Sequence, residues 1–208
     1  MSCYTKREVG MKMSVSSLRE VHEEEGKKRT TVKEEIISWG KTIIGTLIAV
    51  FLITTFVFRT VEVQGSSMNP TLNHGERIIV WQLLYSPTFS DVVVLEHTDG
   101  NLHVKRIIGT PGDHVDYIDG QMIINGEIIS EPYLAEQFST NDFIFENLCG
   151  IRNYNDECDV IPNGYFLVLG DNRNRSGDSR EYGLIHESQI MGRVTLRFLP
   201  FNVFGMIN

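Results

Sequence analysis

The chain has 208 residues, 41% hydrophobic and 22% charged, which suits one ordinary domain plus a membrane segment. Its formal charge of -8 is uneven: residues 1–41 carry nine Lys/Arg and seven Asp/Glu, a net of +2, whereas residues 42–208 carry ten and twenty, a net of -10. An acidic domain without a basic run argues against nucleic acid as a partner.

Residues 1–35 are charged, lack sustained apolar periodicity and read as a mobile or partly helical cytoplasmic tail. Residues 42–58, TIIGTLIAVFLITTFVF, carry no charge. This run is at the short end of a membrane-spanning helix. Ile36, Ile37 and Trp39 extend the apolar face past Lys41, whose ammonium can snorkel to the headgroups, so the anchor is expected over 36–58. The run is apolar on every face, which disfavours a buried core helix. It is also long, and preceded by some forty residues, for a cleaved leader. Lys27, Lys28, Arg29, Lys33 and Lys41 precede it, and only Arg59 and Arg77 follow closely. The positive-inside rule then predicts a single-pass protein of the cell membrane with a cytoplasmic N-terminus and residues 59–208 outside.

Beyond the span, short strands are predicted at Thr60–Gln64, Ile78–Trp81, Asp91–Leu95, Leu102–Ile108, Val115–Ile118, Met122–Ile124, Tyr165–Leu169 and Gly192–Phe198. Asp119-Gly120 and Asn125-Gly126 are hairpin signals. The fold class is therefore mostly β: one N-terminal transmembrane helix, then an all-β domain. A smaller inserted segment spans about 114–160, and its polar stretch from 135 holds Cys149 and Cys158. On the oxidising side these two can form a disulfide or stay as free thiols; Cys3 would be reduced.

The chemistry centres on Gly65-Ser66-Ser67-Met68-Asn69-Pro70-Thr71-Leu72, where a strand breaks into a turn and presents a hydroxyl. A serine nucleophile needs a base. His74, His97, His103, His114 and His186 are available, but none sits in a catalytic signature and no Gly-x-Ser-x-Gly elbow exists. Lys105 is the only lysine after residue 41, against nine arginines, and lies among Val104, Ile107 and Ile108. Burial there would lower its pKa and supply a neutral amine as general base, although an exposed edge-strand lysine fits the pattern too. The polar stretch Gly170–Gly183 follows a buried strand. Within it Asp178 and Arg180 can pair, and Ser176 can aim the lysine amine.

These blocks, in order, resemble bacterial type I signal peptidase, a Ser/Lys-dyad membrane endopeptidase. The matching stretches are Gly65–Leu72, Ser90–Leu95, Val104–Asp113 and Gly170–Arg180, with Gly192-Arg193-Val194 and Arg197–Phe201 closing the match. The resemblance covers residues 39–201. It implies Ser67 as nucleophile, Lys105 as general base, Ser176 as its orienting group, and Asp178 with Arg180 as braces. It also implies that the Ser67 N–H donates to the oxyanion. Some members place a second oxyanion hydroxyl two positions before the nucleophile; here that position is Gly65, so a nearby backbone group or water would have to serve. Val63, Met68, Leu72 and Val104 match positions lining the pocket for the residue before the cleaved bond. The resemblance implies exported preproteins as substrates, cut after small residues at the first and third positions, with membrane lipid and the secretion translocase as partners and no cofactor or metal. A self-cleaving repressor of the LexA type is disfavoured by the membrane span. An inactive relative is disfavoured by the presence of both Ser67 and Lys105.

Overall fold

The computed structural model describes residues 31–97, 100–135, 140–145, 148 and 159–207. The expectations for residues 1–30 and for a Cys149–Cys158 bond fall outside them. Helix α1 runs Val32–Phe56, starting four residues before Ile36. Thr31 sets that start: its N–H donates to Glu34 Oε2 at 3.1 Å, and its carbonyl accepts from the Glu34 N–H. This is half of a capping box. Glu34 and Glu35 also place negative charge at the positive end of the helix dipole. The 25 residues of α1 extend about 37 Å, enough to cross a hydrocarbon layer of about 30 Å. None of them is buried within the protein. Thr42, Thr46 and Thr54 turn their hydroxyls back to carbonyls four residues earlier, which satisfies them without water.

The chain divides within α1, after Ala49, into two compact units, the second running from Val50 onward. Its strands are β1 (Phe58–Glu62), β2 (Arg77–Trp81), β3 (Val92–Glu96), β4 (Leu102–Gly109), β5 (Val115–Ile118), β6 (Gln121–Ile124) and β7 (Glu127–Ile129). After the insert come β8 (Tyr165–Leu169), the short helix α2 (Ser179–Tyr182), β9 (Ile185–His186), β10 (Ile190–Leu199) and β11 (Gly205–Met206). Phe58, expected in the apolar span, instead opens β1 opposite Trp81, the two rings meeting edge-on at 4.9 Å.

Eight strands form one sheet in the order β1-β2-β10-β3-β4-β8-β9, with β11 on β10; β5-β6-β7 form a second sheet. All strand pairings among the described residues are antiparallel. Asp119-Gly120 and Asn125-Gly126 make the two turns of the small sheet, each pair at positive φ, as two-residue hairpin loops require. Three apolar clusters fill the interior. One joins Val63, Met68 and Leu72 to Ile78, Val80, Val92, Val104 and Val194, under the turn that carries Ser67. Another packs Tyr117, Met122 and Phe145 of the inserted segment against Ile108, Leu167 and Leu169 of the main sheet. The last joins Val93 and Leu95 to Ile107, Phe166 and Val168. Full burial of one such aliphatic side chain contributes about 1.5–3 kcal/mol.

Candidate active site

The Ser67 turn is clamped from above and below. Beneath it, Met68 and Leu72 anchor its two ends in the core, with Leu72 wholly shielded from solvent. The helix-like bond from the Leu72 N–H to the Met68 carbonyl and the bond from the Asn69 N–H to the Ser66 carbonyl curl the backbone around it. Above it lies the segment after β8. The Asn172 N–H donates to the Ser67 carbonyl at 2.9 Å, and Asn172 Nδ2 donates to the Ser66 carbonyl at 3.0 Å. Thr71 donates its hydroxyl to the Asp171 carboxylate, which also takes a two-pronged ion pair from Arg106 at 2.9 and 3.0 Å.

Strand β4 supplies the amine. Lys105 and Arg106 are neighbours on a strand and point to opposite faces. Arg106 therefore serves Asp171, and Lys105 Nζ lies 3.2 Å from Ser176 Oγ. Gly170 is the pivot between these groups: a methyl on its Cα would fall 2.2 Å from Ser176 Oγ and 2.5 Å from the Ser67 carbonyl oxygen. Only glycine lets the serine turn, the Ser176 hydroxyl and β8 approach this closely. Ser67, Ser176 and Lys105 thus converge around one residue. Among the described residues the Ser67 hydroxyl has no hydrogen bond to Lys105, and catalytic hydrogen bonds often tighten only with substrate bound.

Lys105 is 3% exposed, and its amine is pulled from 10.5 down to about 8. Burial is the largest cause; the carboxylate of Asp178 opposes it, the charge of Arg180 adds to it, and Asp171 and Glu181 oppose it. Asp178 is fully buried. It accepts from the Gly170 N–H at 3.1 Å and pairs with Arg180 through two bonds of 2.8 Å, while Arg180 also donates to the Arg173 carbonyl at 2.9 Å. The loop that aims Ser176 is therefore tied at both ends.

Gly65 has φ +83°, and its N–H donates to His74 Nδ1 at 3.2 Å. That amide is committed, whereas the Ser67 N–H donates to no group among the described residues. A second oxyanion donor would have to come from elsewhere than the Gly65 amide. Val63, Met68, Leu72 and Val104 share one cluster and are all nearly buried, so they form the floor beneath the turn. His103, two residues from Lys105, stacks on His97 at 4.9 Å.

The sequence did not single out Gly170, Asp171, Asn172, Arg106 or Thr71 individually. Nor did it find the pair of Glu131 with Arg173, which together with Thr140 anchors the start of the Ser176 loop to the inserted segment. The signal that existed was the density of donors and acceptors after Leu169.

The family described as signal peptidase, peptidase S26, matches residues 36–199. Signal peptidase IB of Staphylococcus aureus (strain COL) is 38% identical over 183 residues, covering 83% of this chain and 94% of that protein. Signal peptidase I of Bacillus licheniformis is 39% identical over 181 residues, covering 84% and 95%. A crystal structure of a signal peptidase I from Enterococcus faecalis V583 is 32% identical and covers 53% of this chain and 98% of its own, with a TM-score of 0.45. With a match over most of its length and relatives this similar, the chain belongs to the signal peptidase family, peptidase S26.

Proposed function

We propose that this chain is a membrane-anchored serine endopeptidase that removes N-terminal signal peptides from exported preproteins by a Ser67 nucleophile and a Lys105 general base. Family membership supports the removal of signal peptides, and α1 is long and apolar enough to hold the enzyme in a membrane. The observation that carries the mechanism is the Lys105 amine. It is buried, 3.2 Å from Ser176, and its pKa of about 8 leaves a useful neutral fraction near neutral pH.

Neutral Lys105 takes the Ser67 Oγ proton as Oγ bonds to the scissile carbonyl carbon. The Ser67 N–H donates to the oxyanion that forms; one such donor typically contributes about 10²–10³ in rate. As the tetrahedral intermediate collapses, the C–N bond breaks and the Lys105 ammonium returns the proton to the leaving amine. A water then loses a proton to Lys105 and attacks the acyl carbon, and release of the Ser67 oxygen, reprotonated by Lys105, restores the resting state. Ser176 orients the amine throughout, and Asp178 with Arg180 holds Ser176.

The substrate lies as a strand along β1 and its continuation to Ser66, since among the described residues β1 pairs with β2 alone and presents its other edge. The small residue directly before the bond fits over Val63, Met68, Leu72 and Val104, and the third residue before it is small as well. The basic flank before α1 supports a cytoplasmic N-terminus and a β unit outside the cell membrane, at the lipid surface and beside the secretion translocase that delivers the preprotein. Detergent-solubilised full-length protein incubated with a preprotein tests this. Wild type should release the signal peptide, Ser67→Ala should not, and Lys105→Arg should lose about 10²–10⁴-fold, because a guanidinium does not deprotonate. Cleavage by Lys105→Arg within about tenfold of wild type would overturn the Ser/Lys assignment.

A further inference from the structure

On the proposed mechanism, the departing amine must reach Lys105 to collect its proton. The residues that follow the cleaved bond therefore leave on the Lys105–Ser176 side of Ser67, while the signal peptide lies along β1. A hollow of about 380 Å³ has in its wall Ser176, the residue that touches Lys105, and so adjoins that departing side. Two larger hollows, of about 510 and 760 Å³, include none of Ser67, Lys105 and Ser176. The volume is at the small end of the range for ligand sites, roughly 300–1,000 Å³, and suits a short stretch of peptide.

Its chemistry is legible. Phe143 and Leu148 give it an apolar side, and Phe143 packs on the cluster of the inserted segment, a different core from the one beneath Val63 and Met68. Arg180 lines it, yet that guanidinium is already taken by Asp178 and the Arg173 carbonyl. Arg173 is likewise taken, by Glu131, Thr140 and the Gly170 carbonyl. Arg173 is buried and its charge is balanced by Glu131; Arg180 keeps Nη1 unbonded among the described residues, but its charge is balanced by the buried Asp178. The exposed charges of its lining are Asp142 and Glu181, both acidic, whereas the Arg180 side chain is only 19% exposed and paired with Asp178. Asp142 spends one oxygen on the Gly120 N–H at 3.3 Å, and Glu181 leans over Gly177, on the segment between Ser176 and Asp178.

We infer that this hollow receives the first residues of the mature chain, and that Asp142 and Glu181 make it select neutral or basic side chains there over acidic ones. The inference rests on the proposed peptidase reading and adds a specificity on the far side of the bond. Each partly exposed carboxylate is expected to change the rate ratio by about two- to fivefold, so the pair gives roughly tenfold.

The test uses one preprotein with Ala, Lys or Glu at the first and second mature positions, cleaved by full-length enzyme in detergent at pH 9, above the Lys105 transition. The ratio of kcat/KM for the Lys and Glu substrates is the readout. Any change at Lys105 itself cancels in this ratio, because both substrates use the same base. Wild type should favour Lys over Glu by roughly tenfold at low salt, and less as salt screens the charges. Glu181→Gln and Asp142→Asn should each shrink the ratio, and Glu181→Lys with Asp142→Lys should invert it. A wild-type ratio near or below unity, or one that stays constant across these variants while cleavage continues, overturns the inference. Failure of wild type to cut any of the substrates would overturn the peptidase reading instead.

Discussion

An ammonium shut away from water loses most of its hydration, and the neighbours of Lys105 restore only part of it. The unfolded chain would keep that proton up to about pH 10.5, whereas the folded chain releases it near 8. Between those values the unfolded state binds more protons, so folding stability rises with pH across that window. Below pH 8 the penalty for burying the charge is present in full; above 10.5 it is gone. Lys105→Met removes the charge and keeps the bulk. It is expected to gain roughly 2–3 kcal/mol over wild type at pH 7, with the gain from this source vanishing by pH 10.5. Denaturation of both full-length proteins in mild detergent at the two pH values checks this, and a pH-independent difference would mean that the ammonium is not destabilised where it sits. On the proposed mechanism the same titration should govern activity. Log kcat/KM of wild type should climb with unit slope below pH 8 and flatten above it. If Lys105 is the base, as proposed, destabilisation of the fold and availability of the base are one property of one side chain.

The segment from Gly170 to Tyr182 acts as a single element that ties the serine turn, the lysine strand and the inserted segment together. Asp178 is its keystone, since it receives the Gly170 N–H, the Arg180 guanidinium and the N–H that starts α2. Asp178→Ala would leave Arg180 facing no carboxylate. The expected loss is about 3 kcal/mol, at the low end for a broken buried pair because the Arg180 side chain is 19% exposed. Activity should fall through kcat more than through KM, since Ser176 and Lys105 lose alignment while the β1 edge is untouched. Asp178→Asn keeps an acceptor for Gly170 and should lose less on both counts, measured by thermal melting beside preprotein cleavage.

Most elements of this kind were legible from local pattern. The apolar runs Val92–Leu95 and Phe166–Leu169 became buried strands, and the two Asx-Gly pairs became turns. Strand β7 was signalled only by the Asn125-Gly126 turn before it, and β9 and β11, two residues each, left no signal. The start of α1 was missed because Lys33, Glu34 and Glu35 break an apolar pattern without breaking a helix. Ser67, Lys105, Ser176, Asp178 and Arg180 stood out by residue type and by family resemblance. Their supports did not, because the Asn172–Ser66 and Asp171–Thr71 bonds span 106 and 100 residues, and periodicity carries no trace of a contact so distant.

At the scale of the whole molecule, charge and apolar surface are sorted along the chain. The basic residues gather before α1, the excess of acid lies after it, and α1 itself buries no side chain within the protein. Further large apolar side chains stand exposed close to the C-terminal end of the helix: Phe58 and Trp81 as a ring pair, then Leu83 and Leu84. Phe58 is two residues from the end of α1, and register places Trp81 directly across from it. If α1 crosses the bilayer, this end of β1 is held at the surface, where amphipathic rings are favoured. The positive flank should keep the N-terminus inside, because lysines and arginines near a span resist export, while acidic residues count for little. Protease added to intact spheroplasts or protoplasts expressing the chain should therefore digest the unit after Arg59 and spare the segment before Lys41. Replacing Lys27, Lys28, Arg29 and Lys33 by Asn, while inserting a pair of lysines directly after Phe58, should turn part of the population around, so that some β unit becomes protected and preprotein cleavage in cells falls in proportion. Full protection of the β unit in the unaltered chain would reverse the proposed orientation. In that case a family member with this site would be facing away from the proteins that it is proposed to cut.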